Sequence, residues 1–320
     1  MELNGIHHVT AVSARITKNL DFYTGVLGLR LVKKSVNQDD VSAYHLFYAD
    51  RLGTPGTDMT FFDWPRIRPD RRGTDSIAGT AFRVSSREAL DYWADRLDQL
   101  SVKRGEIDVF AGRELLPFED PEGQQLYLVN DRGFEFEGEI WPQPEIPDEY
   151  TLRGFFSVLL TTPDNLQMAR IFKDVLGFSE VSVNDWIDKK RTVTVYSTTV
   201  QGGPGKEVWL LNDPDAPRAY LGAGGTHHVA FRIGSSDEQL SWLRRLREHG
   251  LQVSSQIDRF WFKSIYFRIS PGILFEIATD GPGFSIDEHP ERLGEELVLP
   301  PFLEDRRQEI ENNLVPLQEG

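Results

Sequence analysis

Phe22-Tyr23-Thr24-Gly25-Val26-Leu27-Gly28-Leu29-Arg30-Leu31-Val32 has a second version at Ile171-Phe172-Lys173-Asp174-Val175-Leu176-Gly177-Phe178-Ser179-Glu180-Val181. Each stretch reads as the end of an amphipathic helix, then a glycine suited to the left-handed residue that closes a helix, then a strand. A second kind of helix also occurs twice, at residues 89–100 and 239–251. Apolar residues there fall at helical spacing, and each helix leads through a valine (Val102, Val253) into a strand. Such self-similarity is the mark of a repeated supersecondary unit.

The repeats divide the chain into four βαβββ units. Their first strands are expected at residues 6–11, 77–84, 154–161 and 227–233, and their last strands at 58–62, 125–129, 208–211 and 273–278. One such unit carries its helix on one face of the sheet only. Two units side by side make a cup whose concave face is free for a ligand. The expected fold class is therefore α+β, four βαβββ modules forming two cup-shaped sheets. Residues 1–140 hold two modules and residues 150–283 the other two, and residues 284–320 form a tail with a short helix near 303–313. The proline-rich stretch Trp141-Pro142-Gln143-Pro144-Glu145-Ile146-Pro147 reads as the linker between the halves.

Composition narrows the function classes. With 35 basic and 50 acidic residues among 320, the net charge of −15 disfavours nucleic acid and anionic membrane surfaces. The acidic tail (Asp287, Glu288, Glu291, Glu295, Glu296, Glu304, Asp305) reads as a solvated surface. No apolar run approaches the ~20 residues of a membrane span, and the N-terminus lacks the basic and apolar regions of a signal peptide. A cytoplasmic location is the expectation. The absence of cysteine leaves His, Asp and Glu as the ligands for any metal.

Four of the seven histidines fall in two pairs, His7-His8 and His227-His228, each on the first strand of a unit. Strand side chains alternate between faces, so one member of each pair faces the cup. A carboxylate interrupts the strand Ile273-Leu274-Phe275-Glu276-Ile277. Leu274, Glu276 and Ala278 alternate there with wholly apolar partners that suit a helix, which turns Glu276 to the cup, and Tyr266 with it on the preceding strand. An unpartnered buried carboxylate costs several kcal/mol, and a metal would compensate. Pairing with Arg268 or Arg259 is the alternative. Two imidazoles and one carboxylate are the donor set of a 2-His-1-carboxylate centre. The equivalent positions of the other units, Tyr127 for Glu276 and Ser157 for His8, complete no second set. The metal is thus expected between the first and fourth units, with the second and third forming a vacant cup.

The sequence resembles the vicinal oxygen chelate superfamily, which includes glyoxalase I, bleomycin-resistance proteins and extradiol dioxygenases, and within it the ring-cleaving dioxygenases of the hydroquinone type. The resemblance spans the chain. It is carried by the two His-His strand starts, Tyr44-His45-Leu46-Phe47-Tyr48-Ala49-Asp50, Leu52-Gly53-Thr54-Pro55-Gly56-Thr57, Pro271 to Glu276, and Gly283-Phe284. It implies His8, His228 and Glu276 as metal ligands, Fe(II) or Mn(II) as the ion, and an aromatic diol and dioxygen as partners. It further implies Tyr266 as proton donor, Arg259, His227 and His7 near a substrate oxyanion, and Thr10 as a positioning residue.

By alternation alone, His7 and His227 point away from the metal or edge towards it at the rim. Phe260, Trp261, Phe284 and Phe302 are candidate pocket walls. Glyoxalase-like members place a fourth, carboxylate ligand where this chain has Thr60, and nearby Asp58 reads as a turn residue. Two other classes stay open: a glyoxalase-like lyase or isomerase using Ni(II) or Zn(II), and a metal-free binding protein of the resistance type. Ring substituents are not legible, and the chain is compatible with a homo-oligomer.

Overall fold

The computed structural model describes residues 1–317. The first unit comprises β1 (Ile6–Ser13), α1 (Ile16–Asp21), β2 (Arg30–Asn37), β3 (Asp40–Ala49) and β4 (Asp58–Asp63). The second comprises β5 (Ser76–Val84), α2 (Arg87–Gln99), β6 (Asp108–Phe110), β7 (Arg113–Glu119) and β8 (Gln125–Asn130). The third comprises β9 (Phe155–Thr162), α3 (Asn165–Arg170), β10 (Ser179–Asp185), β11 (Thr192–Ser197) and β12 (Glu207–Asn212). The fourth comprises β13 (Thr226–Ile233), α4 (Ser236–Glu248), β14 (Ile257–Asp258), β15 (Lys263–Ser270) and β16 (Ile273–Thr279), and α5 (Arg307–Asn313) closes the chain.

The strands form two curled sheets, in the orders β14-β15-β16-β13-β1-β4-β3-β2 and β10-β11-β12-β9-β5-β8-β7-β6. The first and fourth units therefore share one sheet, and the second and third share the other. Helices tie the units together in the opposite sense. Arg96 of α2 donates to the carbonyls of Gly25 and Val26 after α1, and Arg245 of α4 donates to those of Asp174 and Val175 after α3. Each arginine satisfies carbonyls that a helix end leaves free.

Gly28 and Gly177 close the first helix of their units at φ +71° and +74°, a conformation that strains a residue bearing Cβ. The long helices begin earlier than apolar spacing indicates, at residues 87 and 236 rather than 89 and 239. The reason is capping: the Ser86 and Ser235 hydroxyls accept from the amides of Ala89 and Glu238.

The helix-covered faces share one large apolar core, including Val9, Val229, Phe231, Phe275 and Ile277. The cup of the second and third units is not vacant. Phe110, Tyr127, Phe156, Trp186 and Trp209 fill it with a compact aromatic cluster. Strand register shows why: Ser157, Tyr127 and Trp209 occupy the positions that His8, Glu276 and Thr60 hold in the first sheet.

The tail is only partly solvated. Lys33 on β2 is fully buried, and its ammonium donates to Asp287 Oδ1 at 2.7 Å and to Glu288. A buried cation needs such counter-charges, so these two tail carboxylates turn inward. With them, Phe284 and Leu293 seal one end of the first cup.

Candidate metal centre

β1 and β13 run antiparallel at the middle of the first sheet, and β16 lies beside β13. The pairing of β1 with β13 is irregular at two points. Ile6 faces Phe231 and His8 faces Ala230, leaving His7 as an extra residue; Thr10 faces His228 and Ala11 faces Thr226, leaving His227 extra. A bulge breaks strand alternation and re-aims a side chain. Strict alternation would turn His7 and His227 away from the cup. The bulges instead bring both members of each pair together: His7 Nδ1 lies 2.9 Å from His8 Nδ1, and His227 Nδ1 lies 2.7 Å from His228 Nδ1.

His8, His228 and Glu276 meet in the cup, 3%, 4% and 0% exposed. His8 Nε2 is 3.2 Å from His228 Nε2, and Glu276 Oε2 is 3.2 Å from the first and 3.0 Å from the second. Donors about 2.1 Å from one ion, at right angles to one another, stand about 3 Å apart. The other carboxylate oxygen, Oε1, accepts from the Ser264 hydroxyl. Oε2 has no hydrogen-bond partner and is buried. That stranded oxygen is what a cation would satisfy, so the donor set fits a metal.

The protons can be placed. His7 Nε2 lies 3.2 Å from the Thr279 carbonyl, which only accepts. Burial and the neighbouring His8 pull the His7 pKa down to about 3, so the ring is neutral and its one proton is on Nε2. Its Nδ1 must then accept from His8 Nδ1–H, which leaves His8 Nε2 as a bare lone pair facing the centre. His227, also lowered to about 3 by burial and by His228, is neutral and lies against His228 Nδ1 in the same way, without, among the described residues, a carbonyl on its Nε2. Burial opposes ionisation of Glu276; its carboxyl falls below the usual range only where positive charge or N–H donors act on it from the side of His8 and His228, and with bare lone pairs at those nitrogens a cation would have to supply that charge.

Around the triad lies a narrow pocket walled by Phe62, Trp261, Phe262, His45 and Tyr266. Tyr266 is the cross-strand partner of Glu276 and packs edge-on to His228, with ring centres 5.8 Å apart. Burial, and then Glu276, raise its pKa, so it stays a phenol. Arg259 Nε donates to Tyr266 Oη at 3.4 Å, while the guanidinium fork grips Asp39 at 2.8 and 3.2 Å.

Thr10 Oγ1 is 2.8 Å from Thr60 Oγ1, which lies 2.9 Å from His45 Nε2. Thr60 thus fills the fourth corner with a hydroxyl. Asp58 is no turn residue: it opens β4 opposite His8, 1% exposed, and burial, with Asp50 nearby, pushes its carboxyl well above the usual range. Of the aromatic candidates, Trp261 lines the pocket, while Phe260 and Phe284 pack against or within the apolar cluster behind it. Phe302 is 59% exposed and takes no part. Sequence alone does not single out the walls Phe62 and Phe262, nor two polar members of the site. His45 shares the cup face of β3 with Phe47, and Ser264 belongs to the polar set of β15; in each case alternation was the available signal.

The chain belongs to the Glyoxalase/Bleomycin resistance protein/Dioxygenase superfamily, whose family model matches residues 5–128 and 154–286. Among its relatives is a Bacillus subtilis (strain 168) protein named "Putative ring-cleaving dioxygenase MhqA". It is 44% identical over 318 residues, which cover 99% of this chain and 100% of that protein. The chlorohydroquinone/hydroquinone 1,2-dioxygenase of Sphingobium indicum is 29% identical over 313 residues, covering 96% of this chain and 95% of the other. A crystal structure titled as a putative dioxygenase from Bacillus subtilis matches with a TM-score of 0.89 at 36% identity, covering 100% of this chain and 99% of that one.

Proposed function

We propose that the protein is an Fe(II)-dependent ring-cleaving dioxygenase acting on a hydroquinone-type aromatic diol, with His8, His228 and Glu276 holding the ion. The carrying observation is the buried triangle of donors with its one partnerless oxygen. The relatives' names support the reaction class. The glyoxalase-like alternative is weakened by Thr60, which stands where a fourth carboxylate would be needed.

Bound there, Fe(II) supplies the one-electron chemistry that lets dioxygen react with an aromatic ring. The chain does the rest. Three protein donors would leave positions of the ion free for diol and dioxygen. His7 orients His8; both nitrogens of His7 are engaged, so it contacts no substrate. His227 packs against His228 through its own Nδ1 and holds that ring in place. Arg259 offers a cation to an ionised ring hydroxyl, and Tyr266 holds the proton that the opening ring takes up. Thr10 and Thr60, bonded to each other, hold His45 by its Nε2, and His45 on the pocket wall positions the ring. Aromatic walls exclude water.

The test is oxygen uptake by protein loaded anaerobically with Fe(II). Hydroquinone should draw one dioxygen per ring lost. Absence of uptake with both hydroquinone and catechol overturns the assignment.

A further inference from the structure

The segment Gly53-Thr54-Pro55-Gly56-Thr57 lies outside the metal centre, and its place in the fold points to a second site. Across the molecule its counterpart is Gly202-Gly203-Pro204-Gly205-Lys206. The two are related by the internal symmetry that matches the first and fourth units to the third and second. The amide of Ile6 donates to the Gly205 carbonyl and that of Phe155 to the Gly56 carbonyl, at 2.8 and 2.9 Å. The amide of Gly56 reaches the His7 carbonyl as that of Gly205 reaches the Phe156 carbonyl. Arg232 pairs with Asp280 as Arg83 pairs with Asp131, at 2.9 and 2.6 Å. Both loops and both arginines line one cavity of about 310 Å³ on the seam between the sheets.

The symmetry fails in charge. Asn4 and Arg153 are counterparts: the Asn4 amide donates to the Arg232 carbonyl and the Arg153 amide to the Arg83 carbonyl. Thr57 and Lys206 are counterparts at the ends of the two loops. One half thus contributes neutral side chains at these positions, and the other contributes two cations together with Glu135 and Glu137. Among the described residues, neither Arg153 nor Lys206 has an acidic partner, although Glu135 and Glu137 also line the cavity. Arg153 Nε is buried with no hydrogen-bond partner. Burial and the nearby Arg232 pull the Lys206 ammonium below its ordinary value, outweighing the opposite pull of Glu137 and Asp280, and a bound anion would act with those two. Arg83 and Arg232 are already paired with Asp131 and Asp280, and Glu135 and Glu137 lie on the wall, so what the cavity offers an anion is the free donors of Arg153 and Lys206 rather than a net positive charge.

We propose that this seam cavity binds a small oxyanion, a phosphate or a carboxylate, through Arg153 and Lys206. Charge-assisted donors suit such a ligand, and the cavity is too small for a large one.

Calorimetric titration at constant ionic strength tests it, with inorganic phosphate in one arm and malonate in the other. Saturable one-to-one binding of either is expected, and which arm binds tells phosphate from carboxylate chemistry. Arg153→Gln and Lys206→Gln should each weaken it on the order of tenfold or more. Arg218→Gln, outside the cavity, should leave it unchanged. Lys206 also donates to the Asn4 carbonyl, so Arg153→Gln keeps the test valid if the lysine variant folds poorly. No saturable binding in either arm, or equal binding by wild type and Arg153→Gln, overturns the proposal.

Discussion

At the scale of single residues, the metal centre depends on groups that touch no ion. The Thr279 carbonyl fixes the proton on His7, His7 fixes the proton on His8, and the lone pair on His8 Nε2 follows. Ser264 does the equivalent for Glu276 by occupying Oε1 and leaving Oε2 free for an ion. Such supporting groups typically carry 10- to 100-fold in metal affinity. Ser264→Ala and His7→Phe should each lower affinity by about that factor, read by competition with a coloured chelator, while the far-ultraviolet dichroism stays unchanged. Affinity unaltered in both would mean that the ligand side chains are held by packing alone.

Elements explain which parts of the site could be read from sequence. Glu276 on the cup face follows from alternation within its own strand, and no neighbour need be known. The bulges at His7 and His227 do not follow, because a bulge is a mismatch in count between two strands some 220 positions apart. The inward turn of the tail was hidden for a similar reason. Lys33 reads as an ordinary charged strand residue until Asp287, Glu288 and the ring of Trp261 close around it. Removing one partner of a buried pair leaves the other charge stranded. Lys33→Met should therefore cost about 3 kcal/mol in chemical unfolding and expose the chain after residue 283 to limited proteolysis. A variant as stable and as protease-resistant as wild type would contradict that role.

On the scale of the whole molecule, one architecture is used twice with different contents. The first cup gathers imidazoles and a carboxylate; the second is packed with Tyr127, Trp186 and Trp209. Trp209→Ala should cost about 3–5 kcal/mol of stability, yet leave metal affinity unchanged once the protein is folded. Global stability also carries a pH signature outside the site. Burial, reinforced by Glu122, lifts the Asp63 carboxyl to about 6. The folded chain then keeps a proton that the unfolded chain has lost, so this group's contribution falls as pH rises through about 6. Asp63→Asn should stabilise by about 1 kcal/mol at about pH 7.5 and by less at about pH 5, a small effect because the group is partly solvated. Equal gains at both values would show that the carboxyl titrates normally. The repeat, the two sheets and the emptiness of the second donor set were all legible from sequence. The filling of that second cup was not, since its aromatic residues read equally well as core of any kind. The proposed chemistry needs residues 8, 228 and 276 to grip one ion. Its most direct test is anaerobic titration with Fe(II), followed by elemental analysis after gel filtration. One iron per chain is expected for wild type and none for His8→Ala, His228→Ala or Glu276→Gln; iron retained by all three variants would contradict it.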